Sequence, residues 1–219
     1  MKKKQKEIFL ETEGNSWFDR NHKAVQEREI NLQFPIIQGL SKCLDKKAPN
    51  GNKQLLEIGC GEGKTLHWIA ENFGLQCYGV EPSEKAVELA NTKDVQVIRG
   101  TADVLDFENK KFDFVVFGFC LYLCDRSDLF QIAKETDRVL KQNGYIIIRD
   151  FYSPEPFAQE YHHRSGIFSY KMDYRKLFDW HPDYECFFHE IDKGHAEGFS
   201  DDQSKWIATS ILRKKSSNE

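Results

Sequence analysis

The chain has 219 residues, of which 40% are hydrophobic and 13% aromatic, and its formal net charge at pH 7 is -4. This length and composition fit one α/β domain with a sizeable core and exclude a disordered chain. The acidic balance disfavours nucleic acid and anionic membranes as partners. No apolar run approaches the ~18 residues of a membrane span, and the N-terminal lysines are followed by no apolar segment, so we expect no secretory signal.

The pattern of cysteines indicates the redox compartment of the protein. The six cysteines are scattered without a Cys-x-x-Cys pair, and several fall inside apolar strand patterns, where a free thiol behaves as a small hydrophobe. We therefore predict reduced thiols, a cytoplasmic location and no zinc or disulfide framework. The basic runs at residues 2–4 and 213–215 are predicted to be solvated tails.

The N-terminal part of the chain has a polar, helical pattern over residues 8–47. Ser16 is a candidate helix N-cap, and a second helix is predicted over residues 34–44, with Pro35 in its first turn. Because these helices precede the sheet, we expect residues 1–50 to form a helical lid over its ligand edge.

Two side chains of this lid are candidates for ligand contact. Arg20 would pair with a carboxylate of the ligand, and Trp17 would exclude water. The alternative, that Trp17 and Phe18 only pack on the core, stays open.

From residue 54 the pattern alternates between strand and helix. The predicted strands are 55–59, 77–81, 95–99, 112–117, 144–150, 184–191 and 206–212, and the predicted helices are 64–73, 83–91 and 127–140. Continuous apolar strands suit a parallel sheet covered on both faces. The short connection between the last two strands predicts an antiparallel hairpin.

The predicted fold class is therefore α/β: a doubly wound, Rossmann-like, seven-stranded and mostly parallel sheet with a C-terminal antiparallel hairpin and an N-terminal helical cap. We predict one domain, 1–219. Its parts are a helical lid (1–50), a ligand-binding core (54–150), a substrate cap (151–184) and a terminal hairpin (185–213).

The stretch from Leu55 to Leu66 runs from a buried strand through three alternating glycines into a helix. Gly59 and Gly61 let the backbone turn sharply and approach a ligand closely. The following helix N-terminus favours an anionic group. We expect the N–H groups near Gly61 and Gly63 to hold a carboxylate.

Four motifs and the order of elements resemble the class I S-adenosylmethionine-dependent methyltransferases. The matching motifs lie at residues 56–63, 79–83, 101–103 and 112–116, and the turn at 140–145 is also similar. The resemblance covers about residues 54–150. It implies S-adenosylmethionine as cofactor and S-adenosylhomocysteine as product.

The charges around the turn agree with that ligand. Dinucleotide enzymes usually carry Gly-x-Gly-x-x-Gly, whose turn receives a pyrophosphate. Here the third glycine comes one residue early, and Glu57 and Glu62 flank the turn. These carboxylates would repel a pyrophosphate but suit an ammonium and a sulfonium, which favours S-adenosylmethionine over NAD.

The resemblance assigns roles to strand-end residues. Glu57 is expected to hold the methionine ammonium, Glu81 to accept both ribose hydroxyls, and Asp103 to accept from the adenine amino group, with the Ala102 N–H facing a ring nitrogen. The predicted cofactor-binding set is Glu57, Gly59, Cys60, Gly61, Gly63, Glu81, Pro82, Ala102, Asp103, Phe117, Phe119, Trp17 and Arg20.

Methyl transfer is an in-line displacement, so the protein mainly supplies positioning, which is worth up to ~7–11 kcal/mol. A general base helps when the acceptor is a hydroxyl. The candidates after the fifth strand are Asp150, Tyr161, His162 and His163, with Arg164 as an anion clamp. We predict no metal site.

The prediction of no metal site rests on the spacing of three candidate ligands. His189, Asp192 and His195 are three residues apart, but they fall at a strand end and in a loop, where this spacing does not bring ligands together.

The sequence thus predicts a cytoplasmic methyltransferase acting on a small molecule, without nucleic-acid or membrane partners. The aromatic and His/Tyr-rich residues 151–184 favour O-methylation of a sugar or a related metabolite. The Asn/Asp-Pro-Pro-Tyr motif of amine-flipping enzymes is missing at residues 118–121. N-methylation of a small amine, a dehydrogenase of the same sheet class and a non-catalytic cofactor-binding partner subunit stay open as alternatives. The oligomeric state is not predicted.

Overall fold

A computed structural model of the chain describes residues 3–45, 50–92, 94–192 and 201–216. Gly194, His195 and Gly198 lie outside the described residues. The strands are β1 (Gln54–Ile58), β2 (Gln76–Glu81), β3 (Val95–Arg99), β4 (Phe112–Gly118), β5 (Leu140–Phe151), β6 (Phe157–Glu160), β7 (Phe168–Lys171), β8 (Tyr184–Asp192) and β9 (Ile207–Lys214). The α-helices are α1 (Gln5–Ile8), α2 (Gly14–Glu27), α3 (Pro35–Cys43), α4 (Lys64–Phe73), α5 (Glu84–Ala90) and α6 (Leu129–Val139).

Seven of these strands form one sheet in the order β3-β2-β1-β4-β5-β9-β8. The first five strands are parallel, whereas β9 runs antiparallel to both β5 and β8. This arrangement confirms the predicted fold class, including the terminal antiparallel hairpin. The ends of β1, β2, β4 and β5 meet at one edge of the sheet, which is where doubly wound folds bind their ligands.

Burial on both faces explains the continuous apolar strands. In β4, Val115 and Phe117 belong to one buried cluster, and Phe114 and Val116 belong to the cluster on the opposite face. A strand that contacts a core on each side has no solvent-facing position for a polar residue.

The N-terminal helices form one continuous path. The turn at Phe9–Glu13 is π-helical and joins α1 to α2. The predicted N-cap at Ser16 is wrong: Ser16 lies inside α2, and its Oγ donates to the Thr12 carbonyl at 3.2 Å. No helix begins there because the π turn carries the backbone hydrogen bonds onward, as in the Gly14 N–H donating to the Phe9 carbonyl.

The predicted start of the fifth strand, at residue 144, is also wrong. Helix α6 ends at Val139 and β5 begins at the next residue. Asn143 has φ of 61°, in an irregular part of β5 where the register against β4 shifts. A left-handed Asn followed by Gly marks this irregularity and not the helix end.

Each basic run has a lysine that is tied to the fold by an ion pair, although Lys3, Lys4, Arg213 and Lys215 are exposed. Lys214 in β9 is 5% exposed, and its Nζ lies 2.7 Å from an Asp137 carboxylate oxygen. Lys4 is ion-paired with Asp128 near the start of α6. The predicted substrate cap contains the small β6–β7 hairpin. No helix in the described part of the chain is long and apolar enough to cross a membrane.

Candidate cofactor and acceptor site

A cavity of about 1070 Å³ opens at the carboxyl edge of the sheet. Its β1 lobe lies over the ends of β1 and β2 and the turn after β3, and is lined by Glu57, Gly59, Gly61, Glu81, Pro82 and Asp103. Its β5 lobe lies over the ends of β4 and β5 and the start of β9, and is lined by Ile30, Phe34, Ile36, Phe119, Phe151 and Ile207. Cys60, Ala102 and Trp17 also line the cavity.

The glycine turn after β1 is tightly constrained. Gly59 has φ of +75°, and a Cβ added there would lie 2.5 Å from the Cβ of Cys120. Gly59 N–H donates to the Val80 carbonyl at 2.8 Å, and Gly61 N–H donates to Glu81 Oε2 at 2.9 Å. Gly63 N–H donates to the turn itself, at the Cys60 carbonyl.

These hydrogen bonds correct one prediction. The N–H groups of Gly61 and Gly63 are already used inside the protein, and an N–H has one hydrogen to donate. They therefore do not hold a ligand carboxylate. Gly63, at the N-cap of α4, does not line the cavity.

Glu57 is the residue that most clearly indicates a bound ligand. Its side chain is buried at the end of β1, and within the described residues its Oε2 has no hydrogen-bond partner. Burial raises the pKa of Glu57 to about 8; the charge of Glu81 adds to the shift and that of Arg28 opposes it. A buried, unpartnered carboxyl that lines a cavity is suited to a cationic ligand group.

Glu81 is held firmly at the end of β2. Its Oε1 accepts from the Ser83 N–H at 2.9 Å, and its Oε2 accepts from the Gly61 N–H. Burial raises the pKa of Glu81, although these two hydrogen bonds oppose the shift. Each carboxylate oxygen keeps a second lone pair, so the group can still accept from two vicinal hydroxyls.

Asp103 is tied to the lid. Its Oδ1 accepts from Thr101 Oγ1 at 2.7 Å, and its Oδ2 is paired with the ammonium of Lys6 in α1. Lys6 also lies 3.1 Å from Asp128. The carboxylate that the sequence assigns to adenine is therefore shared with a lid lysine that itself lines the cavity.

Two further predicted cofactor residues lie elsewhere. Phe117 is fully buried in the core and does not line the cavity; the next residues, Gly118 and Phe119, do. Arg20 also faces away from the cavity, since its Nη2 lies 2.5 Å from Glu13 Oε1 and 3.2 Å from the Tyr161 hydroxyl. The predicted pairing of Arg20 with a ligand carboxylate is wrong because Glu13 already neutralises this guanidinium.

Arg28 is a cavity residue that the sequence did not single out. It follows the C-terminus of α2, lines the cavity, and forms no ion pair within the described part of the chain. It is close enough to oppose the rise in the pKa of Glu57. Arg28 and Glu57 thus offer a cation and a carboxylate at one end of the β1 lobe, which suits a zwitterion.

The predicted general bases do not reach the cavity. Asp150 is 2% exposed, accepts from the N–H groups of Leu121 and Phe151 at 2.8 Å, and is absent from the cavity lining. Burial raises the pKa of Asp150 to about 7, against the effect of those hydrogen bonds. Asp150 therefore organises the backbone after β4 and β5, and its assignment as a base is corrected.

The rings of Tyr161, His162 and His163 contact one another outside the cavity lining. His162 and His163 are exposed and do not line the cavity. Tyr161 is buried against Arg20. Arg164 lies 3.6 Å from Glu13 and is not an anion clamp for a substrate.

Within the described residues, no group of three or more His, Cys, Asp or Glu side chains is arranged to hold a metal. His189 Nδ1 is 2.9 Å from Ser210 Oγ, and Asp192 pairs with Arg149 at 2.7 Å. These two side chains thus have protein partners, while His195 lies outside the described residues.

Helix α2 is fastened to the glycine turn. Glu62, 6% exposed, is 2.7 Å from His22 Nδ1 and 2.6 Å from Gln26 Nε2. Lys64 donates to the Val25 carbonyl at 3.0 Å, near the last turn of α2. Glu62 thus lines the cavity, and it is also the latch that holds α2 to the turn.

We expect Glu62→Ala to loosen this latch. Losing two hydrogen bonds to a buried carboxylate costs about 1–3 kcal/mol, so thermolysin should cleave α2 about 5- to 100-fold faster. Lys23→Ala is the matched control, because its pairing with Glu27 is long, at 3.9 Å, and exposed. Equal cleavage rates for both variants would contradict the latch.

Comparison with known proteins bears on the domain and on the fold. Residues 56–148 match the model of a family described as "Methyltransferase domain". The uncharacterized methyltransferase YcgJ of Bacillus subtilis is 33% identical over 66% of this chain and 58% of its own length. The tRNA N(3)-methylcytidine methyltransferase trm140 of Schizosaccharomyces pombe is 28% identical over 58% of this chain and 44% of its own length. The chain thus spans about half the length of these relatives.

Solved structures share the fold. A SAM-dependent methyltransferase from Methanosarcina mazei superposes with a TM-score of 0.62 at 17% identity, over 80% of this chain and 96% of its own. A chain of the complex between the Haloferax volcanii Trm112 methyltransferase activator and a putative methyltransferase gives a TM-score of 0.66 at 16% identity, over 96% and 99%.

Residues 56–148 thus match a methyltransferase domain, and the sheet has the fold of solved SAM-dependent methyltransferases.

Proposed function

We propose that the protein transfers the methyl group of S-adenosylmethionine to a small-molecule acceptor. The observation that carries this proposal is Glu57, a buried carboxyl whose Oε2 has no hydrogen-bond partner among the described residues, next to Glu81 on the same cavity. A protein that bound no ligand would leave these acids buried at a cost in stability.

Four cavity residues have roles in this reaction. The cofactor supplies a methyl group already activated by its sulfonium. Glu57 holds the ammonium of the methionine part, Arg28 its carboxylate, and Glu81 the ribose hydroxyls. Trp17 covers the cavity from the lid and limits the access of water.

The class of acceptor rests on charge and on the shape of the site. A formal net charge of -4 opposes binding to a polyanion, which favours a small molecule over nucleic acid. The tRNA relative keeps an RNA acceptor as an outcome of the test. The sugar hypothesis rested on residues 151–184, of which Phe151 alone lines the cavity, so that hypothesis stays a prediction without support from these contacts.

N-methylation of a small amine is favoured by one observation. Asp150, Tyr161, His162 and His163 all stand outside the cavity lining. An amine with a free lone pair has less need of a general base than a hydroxyl has. Substitution of Asp150 would then act through folding and not through proton transfer.

The decisive test has two steps. Calorimetric titration with S-adenosylhomocysteine should give saturable binding, and label from methyl-tritiated S-adenosylmethionine should then enter an organic-extractable metabolite fraction and not bulk tRNA. Transfer to tRNA would overturn the small-molecule assignment. Failure to bind S-adenosylhomocysteine would overturn the proposed activity itself.

Arg28→Ala is expected to weaken S-adenosylhomocysteine about 10-fold, because one charged hydrogen bond contributes about 1.5 kcal/mol. Binding of 5′-methylthioadenosine, which has no carboxylate, should not change. Arg20→Ala is the control, since its guanidinium pairs with Glu13 away from the cavity. An equal loss for both arginines, or a loss of 5′-methylthioadenosine binding, would contradict the role of Arg28.

A further inference from the structure

The cavity is larger than one ligand needs. Its volume of about 1070 Å³ exceeds the ~300–1,000 Å³ typical of a pocket for a single drug-sized molecule. With the polar contacts for the cofactor concentrated in the β1 lobe, the β5 lobe is left for the acceptor. The side chains that line the β5 lobe therefore indicate which class of molecule is methylated.

One side of the β5 lobe comes from the chain between α2 and α3 and from the start of α3. Ile30, Phe34 and Ile36 line the cavity from this side. Ile36 reaches the end of β4, where its Cδ1 lies 3.3 Å from the position of a Cβ added to Gly118. Gly118 in turn adjoins Glu57 Oε1, at 3.1 Å from the same position. This apolar surface thus continues to the edge of the β1 lobe.

The other side is aromatic. The Phe151 ring contacts those of Phe119 and Tyr122 at centroid distances of 5.5 and 4.9 Å. Ile207 is the β9 partner of Phe151. Phe119 has φ of 56°, which is unusual for a bulky residue and is maintained only where the surroundings demand it.

The charges at the rim are engaged with one another. Arg149 donates to Asp192 and to Thr209 Oγ1, both at 2.7 Å, and its guanidinium lies 5.7 Å from the centre of the Phe119 ring. Lys205 lies 3.2 Å from Asp202. A polyol placed in this lobe would exchange water for apolar side chains and paired charges, which is unfavourable.

From these contacts we infer that the acceptor is a predominantly apolar molecule with a fused-ring or acyl-chain body, and not a sugar. Its body lies between the Ile30–Ile36 side and the Phe119–Phe151 side, with its methyl-accepting atom toward Glu57. This inference rests on the proposed function and specifies its substrate.

The test uses the full chain saturated with S-adenosylhomocysteine, whose own titration is recorded first. Calorimetric titrations with 2-naphthol and with decanoate should show at least one of them binding about 30-fold more tightly than methyl α-glucopyranoside, because several apolar carbons are buried. Ile30→Asn should weaken the tighter probe about 5-fold, and Leu32→Asn should change it less than about twofold. Leu32 is the matched control, since it lies in the same connection, is 59% exposed and does not line the cavity.

The results that would contradict these claims distinguish a failure of the acceptor class from a failure of the proposed function. Absence of S-adenosylhomocysteine binding would overturn the proposed function and the acceptor class with it. Binding of S-adenosylhomocysteine together with glucoside affinity equal to or above that of both apolar probes would overturn the acceptor class alone. So would equal losses for Ile30→Asn and Leu32→Asn, or failure of both apolar probes to bind below about 1 mM.

Discussion

Glu57→Gln is expected to weaken S-adenosylhomocysteine binding about 10- to 100-fold at pH 8, because a charged hydrogen bond worth about 1.5–3 kcal/mol is lost. Glutamine keeps the shape of the side chain, so the β1 strand and the glycine turn stay in place. Binding of 5′-methylthioadenosine, which has no ammonium, should be unaffected.

The same substitution should change how binding depends on pH. Glu57, with a pKa near 8 in the free protein, is mostly protonated at pH 6. Binding an ammonium requires the ionised carboxylate, so wild-type affinity should rise between pH 6 and 8. Well above pH 8 the ligand amino group loses its proton and affinity should fall. Glu57→Gln should lose the rise below pH 8; an unchanged rise would assign the pH dependence to another group.

The stability of the ligand-free protein should decrease over the pH range in which binding becomes tighter. Folding raises the pKa of Glu57 from 4.5 to about 8, so the folded state binds a proton more tightly than the unfolded state. Its contribution to stability is complete below about pH 4.5 and is lost as pH rises through about 8. Urea unfolding should show wild type losing a few kcal/mol relative to Glu57→Gln between pH 5 and 9. Parallel curves would contradict the raised pKa.

Glu81→Ala is expected to have the largest effect on binding, about 100-fold or more, since two ribose hydroxyls lose a charged acceptor. Unlike Glu57→Gln and Arg28→Ala, it should weaken S-adenosylhomocysteine and 5′-methylthioadenosine equally, because both contain the ribose. Equilibrium dialysis with the two nucleosides measures this difference directly.

Glu81 also has a structural role, which the control must separate. Its removal leaves the N–H groups of Gly61 and Ser83 without acceptors, at about 1–3 kcal/mol each. Thermal unfolding should confirm that the variant is folded at the assay temperature. Glu84→Ala is the matched control, because Glu84 is exposed and lies 3.7 Å from Arg99. A loss for S-adenosylhomocysteine alone would place the ribose elsewhere.

The sequence predicts most of the fold because its strands are buried on both faces. Runs such as Phe114–Phe117 allow few other interpretations, and the alternating glycines fix where β1 ends. The exact start of β5 was missed, since an Asn with positive φ signals a helix end and a strand irregularity equally well. Local sequence cannot distinguish these two uses of one conformation.

The strand-end acids are predictable for a similar reason: parallel strands bring their carboxyl ends together. The contacts of the lid could not be predicted in this way, because they depend on where a helix packs. One partial signal was present, since Glu13 and Arg20 are seven residues apart and so share a helix face, about two turns from each other. Arg28 was missed because nothing local indicates which residue leaves the helix beside Glu57.

The π turn at Phe9–Glu13 has a geometric consequence for the lid. It holds one more residue than an α-helical turn, and each α-helical residue corresponds to about 100° of rotation. Deleting one residue there would rotate α2 against α1, so that Lys6 and Trp17 could not both face the cavity. One residue of the π turn thus fixes the rotation of α2 relative to α1. Insertions or deletions at this turn would change which side chains of these helices face the cavity and would leave the sheet unchanged.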